Sequence, residues 1–143
     1  IIKTKLHVKS IEKFKRKWKQ LTKRSGSISL ENRIIDLNQV IRGWINYFKI
    51  SDMKSVMIGV GKHLRRRIRC IIWKQWKASK KRIWALQKLD ADIEQAKAIA
   101  YSRKSYWNTS LFISIYITND KLKQKGLVFP LDHYLRVHTS DIN

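Results

Sequence analysis

Cysteine occurs once in these 143 residues, at Cys70, so no disulfide can close within the chain and no cysteine-based zinc site is available. Proline also occurs once, and no internal repeat or low-complexity tract is present. Acid is scarce: 10 Asp and Glu stand against 32 Lys and Arg, a net charge of +22. No run of about twenty uncharged apolar residues exists, which excludes a membrane-spanning helix. The opening Ile1-Ile-Lys-Thr-Lys has neither a signal-peptide h-region nor a starting Met, and the chain reads as a piece of something longer. These absences fit a reducing, cytoplasmic setting. The abundance of Lys and Ile with one Pro fits a bacterium with an AT-rich genome, or an organelle.

Catalytic patterns are missing too. There is no Gly-rich phosphate loop, no His-Glu-x-x-His and no carboxylate pair on a strand-turn. His7, His63, His133 and His138 share no metal-ligand spacing with each other or with Cys70. The acidic cluster Asp90, Asp92 and Glu94 reads as charge complementing a helix N-terminus rather than as a Mg²⁺ site. No catalytic residue, metal site or cofactor is expected in this chain.

What is present is basic and apolar together. With 43% apolar residues and six tryptophans, the chain is no disordered tail. So large a charge repels itself in a compact state, which calls for a counter-charged partner. Nucleic acid leads, then an anionic membrane surface, then an acidic protein. Residues 1–24 hold ten cations against one acid and residues 62–82 ten against none, whereas 25–61 hold four against three and 83–143 eight against six. Two basic blocks around a near-neutral segment suggest two helices lining one groove.

Periodicity predicts an all-α fold. Ile2–Val8 alternates and reads as a short strand or extended lead-in. Ser10 would cap a helix over 11–23, with Ile11, Phe14, Trp18 and Leu21 inward. Ser29 would cap the next, about 30–49, on the stripe Leu30, Ile34, Leu37, Ile41, Trp44 (or Ile45) and Phe48. A helix from Ser51 carries Met53, Met57 and Val60 inward. Gly59 and Gly61 cost about 1 kcal/mol each and predict a kink or break before the next basic helix. In Lys62-His-Leu-Arg-Arg-Arg-Ile-Arg-Cys-Ile-Ile-Trp-Lys-Gln-Trp-Lys77, Leu64, Ile68 and Ile71 continue the apolar edge from Val60, with Lys62, Arg66, Arg69 and Trp73 opposite. Beyond it come short helices over 80–88, 91–102 (capped by Asp90), 105–118, 119–125 and 131–137. The 105–118 segment also has strong β propensity.

Arg suits phosphate because its planar fork donates paired hydrogen bonds. Trp73 beside such cations is a candidate for stacking on unpaired bases. Trp76 is expected to join the two halves of the chain, and Trp18 and Trp44 to pack in the core. Gly43, mid-helix, implies close approach of another backbone. Arg42, Asn46 and Lys49 share a polar edge beside it. The candidate binding residues are Lys13, Arg16, Lys17, Arg42, Asn46, Lys62, Arg65, Arg66, Arg69, Trp73, Lys74 and Lys77. Replacing Arg65, Arg66 and Arg69 together is expected to weaken binding with little loss of stability.

Leu37-Asn-Gln-Val-Ile-Arg-Gly-Trp-Ile-Asn-Tyr-Phe48 and Arg65-Arg-Arg-Ile-Arg-Cys-Ile-Ile-Trp-Lys-Gln-Trp-Lys77 together resemble the maturase-specific region of group II intron reverse transcriptases. Ala100-Tyr-Ser-Arg-Lys-Ser-Tyr-Trp107 and Gly126-Leu-Val-Phe-Pro-Leu-Asp-His-Tyr-Leu135 extend the likeness over almost the whole chain. The resemblance implies a palm-to-thumb connector (1–8), a three-helix thumb (9–78) and a small helical DNA-binding domain (79–143). It further implies intron RNA, an RNA/DNA template–primer and target DNA as partners, with splicing and retrohoming as the roles. The polymerase carboxylates and their Mg²⁺ would lie upstream in the parent enzyme, an RNA-directed DNA polymerase. Where the family often has an acid and a Trp before the arginine run, this chain has Gly61 and His63. Leu111–Ile117 is more hydrophobic than the family pattern. A stand-alone structural RNA-binding module and a basic amphipathic membrane-surface protein are the competing readings.

Overall fold

The computed structural model describes residues 8–142. Among them are eight α-helices and no strand, in keeping with the all-α expectation. They are α1 (Val8–Leu21), α2 (Leu30–Phe48), α3 (Lys54–Gln75), α4 (Ser79–Lys88), α5 (Ile93–Ala100), α6 (Tyr106–Ile113), α7 (Asn119–Gln124) and α8 (Pro130–Ile142). The strand expected over Ile2–Val8 lies outside the described residues except for Val8, which opens α1. Ser10 therefore sits inside that helix and does not cap it.

The helix α3 is the axis. Its 22 residues span about 33 Å at the α-helical rise, and it packs chiefly against α6 and α8, with α1 on another side. Met57, Val60, Leu64, Ile68 and Ile71 are buried along the expected edge. From Ile68 to Trp73 every residue is buried, so that stretch is enclosed all round. The expected break at Gly59–Gly61 does not occur. A Cβ on Gly61 would lie 3.7 Å from Pro130 Cδ and 2.8 Å from Arg65 Nη1, which marks where the start of α8 crosses α3. Burial of Met57, Val60 and Leu64, worth about 1.5–3 kcal/mol each, outweighs the two glycines.

Helix α2 follows its predicted stripe closely. Ile34, Leu37, Ile41 and Ile45 are buried, Trp44 and Phe48 half-buried, and Ser29 Oγ caps it by accepting from Asn32 N at 3.2 Å. Trp44 stacks on Phe14 of α1 at 4.3 Å, and Trp18 is fully buried against α3 through His63.

The segment 105–118 is helical only over Tyr106–Ile113, capped by Ser105, with Ile113 and Ile117 turned into the core. Its β propensity finds no partner strand among the described residues. Asp90 does not cap α5. It adopts a left-handed φ of 72° just after α4, where Ala91 N bonds Leu86 O and Asp90 N bonds Gln87 O, both at 3.0 Å. That pair of bonds satisfies the last carbonyls of α4, and Asp92 caps α5 by accepting from Gln95 N at 2.8 Å.

A single apolar cluster runs from Phe14 through α3 to Tyr134, across the turn at residue 78 without a break. Polar clamps join its distant parts. Asn38 Nδ2 donates to Gly126 O at 2.7 Å and Asn38 Oδ1 accepts from Val128 N at 2.8 Å. Tyr134 Oη donates to Ser51 O at 2.8 Å and accepts from Met53 N at 3.3 Å, fixing the α2–α3 turn. Two of the sequence motifs, around Asn38 and around Tyr134, thus bind the first and last parts of the chain together.

Candidate functional site

A buried cation with no carboxylate nearby must find other acceptors. Arg66, Arg67 and Arg69 of α3 find them on main-chain carbonyls and side-chain oxygens. Arg69, only 8% exposed, donates from Nε to Ile117 O at 2.7 Å and from Nη2 to Asn119 Oδ1 at 2.9 Å. Arg66 donates to Trp107 O (2.7 Å) and Ser110 Oγ (2.9 Å) and lies 3.9 Å over the Trp107 ring. Arg67 donates to Thr22 Oγ1 (2.7 Å) and Lys19 O (2.9 Å), closing the C-terminal end of α1, and Arg65 lies over Phe129 at 4.8 Å. Burial pushes the guanidinium groups of Arg65, Arg67 and Arg69 below their ordinary value, yet guanidinium remains charged at any working pH.

These contacts correct several sequence expectations. Arg69 is inside the protein, and Arg66 is held by α6, so the arginine row joins helices to one another. Replacing Arg65, Arg66 and Arg69 together therefore removes structural bonds, contrary to the expected small effect on stability. Trp73 is 4% exposed, with Arg82 over its ring at 4.5 Å and Trp76 against it edge-on. No open face is left for a base. Asn46 Oδ1 accepts from His133 Nε2 at 2.9 Å, and Arg136 Nη2 donates to Nδ1 of the same ring. That fixes the proton on Nε2, and Asn46 is a link from α2 to α8. Trp76, half-buried, packs on the core in a pocket shared with Leu30 of α2 and Trp84 of α4.

The remaining candidates point outward. Lys13, Arg16 and Lys17 of α1, Arg42 of α2, and Lys62 and Lys74 of α3 are exposed, as is Lys77 just beyond it. Lys13 and Lys17 border an open groove of about 480 Å³ between α1 and α2, together with Phe14, Gly43, Trp44 and Tyr47. Tyr47 is 81% exposed. A Cβ on Gly43 would meet nothing within 4 Å, so the close backbone approach expected there is absent among the described residues. Lys74 borders a second, larger cleft. Arg16, Arg42, Lys62 and Lys77 line neither.

That second cleft is the feature sequence reasoning missed. It gathers Lys23, Arg24, Arg67 and Lys74 with Tyr106 and Trp107, and no carboxylate. The signals were present but far apart: the cations before the Ser25-Gly26-Ser27 break, and the motif ending at Trp107. Close by, His63 sits edge-to-face between Trp18 (5.2 Å) and Trp107 (5.3 Å). The His63 ring thus fills an aromatic slot between α1 and α6. Burial, then Lys19, Arg67, Lys15 and Arg66, lowers its pKa from 6.5.

Fold and surface together define a basic all-helical domain, with lysines outward on α1 and arginines bonded inward on α3. Among the described residues no group of three His, Cys, Asp or Glu could hold a metal ion, and no helix is long and apolar enough to cross a membrane. Residues 11–89, from α1 through the end of α4, match the group II intron, maturase-specific domain family, and the chain belongs to that family. Its role is therefore related to group II intron maturation. No curated protein matches the chain.

Proposed function

We propose that this chain is the nucleic-acid-binding C-terminal part of a group II intron-encoded reverse transcriptase and maturase. It binds intron RNA for splicing, and in the parent polymerase it clamps an RNA/DNA template–primer and contacts target DNA during retrohoming. The observation that carries this reading is the family match over 11–89 on a chain of net charge +22. The exposed Lys13, Arg16, Lys17, Arg42, Lys62, Lys74 and Lys77 supply the phosphate contacts. No step of chemistry is assigned to this chain. In this reading Mg²⁺ serves the polymerase carboxylates of the parent enzyme.

The test is salt dependence of binding to a group II intron RNA and to an RNA/DNA hybrid, read by fluorescence anisotropy. About six neutralised phosphates on duplex give a log–log slope near −5. Tight binding that ignores salt removes the proposal. Binding to RNA but not to the hybrid favours a structural RNA module. Co-sedimentation with anionic liposomes that RNA barely displaces favours a membrane-surface role.

A further inference from the structure

The turn after α1 (22–25), the C-terminal half of α3 and the start of α6 enclose an open cleft of about 770 Å³. That lies within the roughly 300–1,000 Å³ of small-molecule sites and is far smaller than the face a duplex needs. Its cations are Lys23, Arg24, Arg67 and Lys74. Arg67 is aimed by its bonds from Nε and Nη2 to Thr22 and Lys19, which leave Nη1 without a protein acceptor. Lys23, Arg24 and Lys74 are exposed.

Burial disfavours the charge of Arg67, and the like charge of Arg24 nearby adds to the cost. No acid in the lining relieves this. Positive charge focused in a concave, acid-free wall attracts an anion. The first N–H groups of α6, at Tyr106 and Trp107, lack acceptors within their helix and border the same cleft. An aromatic component sits beside the charge: the Arg24 guanidinium lies over the Tyr106 ring at 4.3 Å, and Trp107 is 40% exposed at the rim. A guanidinium already stacked on a ring offers a planar surface on which a base can continue the stack.

The geometry points to this cleft as a binding site for one unpaired nucleotide of RNA. The phosphate lies between Arg24, Arg67 and Lys74, and the base continues the Arg24–Tyr106 stack. The assignment rests on the RNA-binding role proposed above and adds to it a preference for single-stranded over paired RNA at one place.

The test compares the full chain with Arg24→Ala/Lys74→Ala and with Lys13→Ala/Lys17→Ala. The probes are a fluorescein-labelled oligouridylate 12-mer and a blunt RNA duplex of equal length. Because Arg24 and Lys74 are exposed and hold no hydrogen bond among the described residues, and Arg24 gives up only its contact over the Tyr106 ring, the first variant should fold, with a melting temperature lowered by a few degrees at most. It should lose about tenfold in affinity for the 12-mer, as expected for two charged phosphate contacts, and less than about twofold for the duplex. The second variant should weaken both probes alike. Equal loss on both probes, or loss on neither, from Arg24→Ala/Lys74→Ala overturns the nucleotide site while leaving general RNA binding intact. Failure of the parent chain to bind either probe overturns both proposals. Uridine monophosphate competing at the same concentration per nucleotide as the 12-mer would show a free-nucleotide site and overturn the RNA assignment.

Discussion

Helices α1 and α3 carry similar charge and use it in opposite ways. On α1 the cations are mostly lysines, and Lys13, Arg16 and Lys17 project into solvent. On α3 they are mostly arginines, and Arg66, Arg67 and Arg69 donate to carbonyl and side-chain oxygens of α1, α6 and the turn before α7. The contrast follows from the side chains. An ammonium is strongly hydrated and loses much on burial, whereas a guanidinium sheds water more easily and its fork fits two acceptors at once. A dense arginine row is thus compatible with a helix that is wrapped by its own protein, and the outward lysines are better placed to meet a polyanion.

The largest test of this contrast is Arg69→Ala. It strips the donor from the carbonyl of buried Ile117, whereas Asn119 Oδ1 belongs to an exposed residue that water can serve, and at about 1–3 kcal/mol for one orphaned buried group the chain should lose roughly 1–3 kcal/mol in urea denaturation. A loss under about 0.5 kcal/mol would mean that α3's arginines are as dispensable to folding as surface lysines.

Sequence periodicity revealed the helices well and the fate of their cations poorly. The α2 stripe from Ile34 to Ile45 was readable because core and water alternate with the helical repeat, and that signal is local. By contrast, Arg69 meets its acceptors 48 and 50 residues later in the chain. Nothing at Arg69 itself marks it as inward. The clamp from Asn38 to Gly126 and Val128 is equally non-local, although the motifs that hold its two ends were visible. The continuity of α3 escaped for a related reason: local propensity favours a break at Gly61, and only the packed structure shows that residue lying under the Arg65 guanidinium, where α8 crosses.

A second test uses His63, which is surrounded by Lys15 and Lys19 of α1 and Arg66 and Arg67 of α3. Its pKa is lowered by burial first and by these cations next, and that of His133 by burial, Arg136 and Arg42. Above pH 6.5 both rings are neutral whether the chain is folded or not, and stability is complete. As the pH falls below 6.5 the unfolded chain takes up protons that the folded chain refuses, so stability declines until the lowered folded values are reached. Denaturation at pH 7.5 and at pH 5 should show the drop, and His63→Phe should shrink it while keeping the aromatic slot filled. A stability that rises on acidification would contradict the crowding of cations between the two helices.

Next in size is Gly43→Ala. Gly43 lies on the exposed side of α2 with nothing within 4 Å of an added Cβ, so the substitution should gain up to about 1 kcal/mol from helix propensity alone. A destabilised variant would show that α2 is distorted there. A stabilised variant with weakened RNA binding would place the glycine's purpose in the groove that it shares with Lys13 and Lys17.

The smallest effect on folding is expected for Lys13→Ala/Lys17→Ala, and it makes the contrast with Arg69 sharpest. Exposed charges away from caps and networks rarely change stability by more than about 0.5 kcal/mol, and removing two like charges from a chain of +22 slightly relieves self-repulsion. The binding readout should move instead: losing two phosphate contacts on duplex lowers the magnitude of the salt slope by about 2. If the pair unfolds the chain, α1's lysines are structural like α3's arginines. If stability and slope are both unchanged, α1 is not the face that meets nucleic acid, and the outward cations Lys62, Lys74 and Lys77 become the ones to replace.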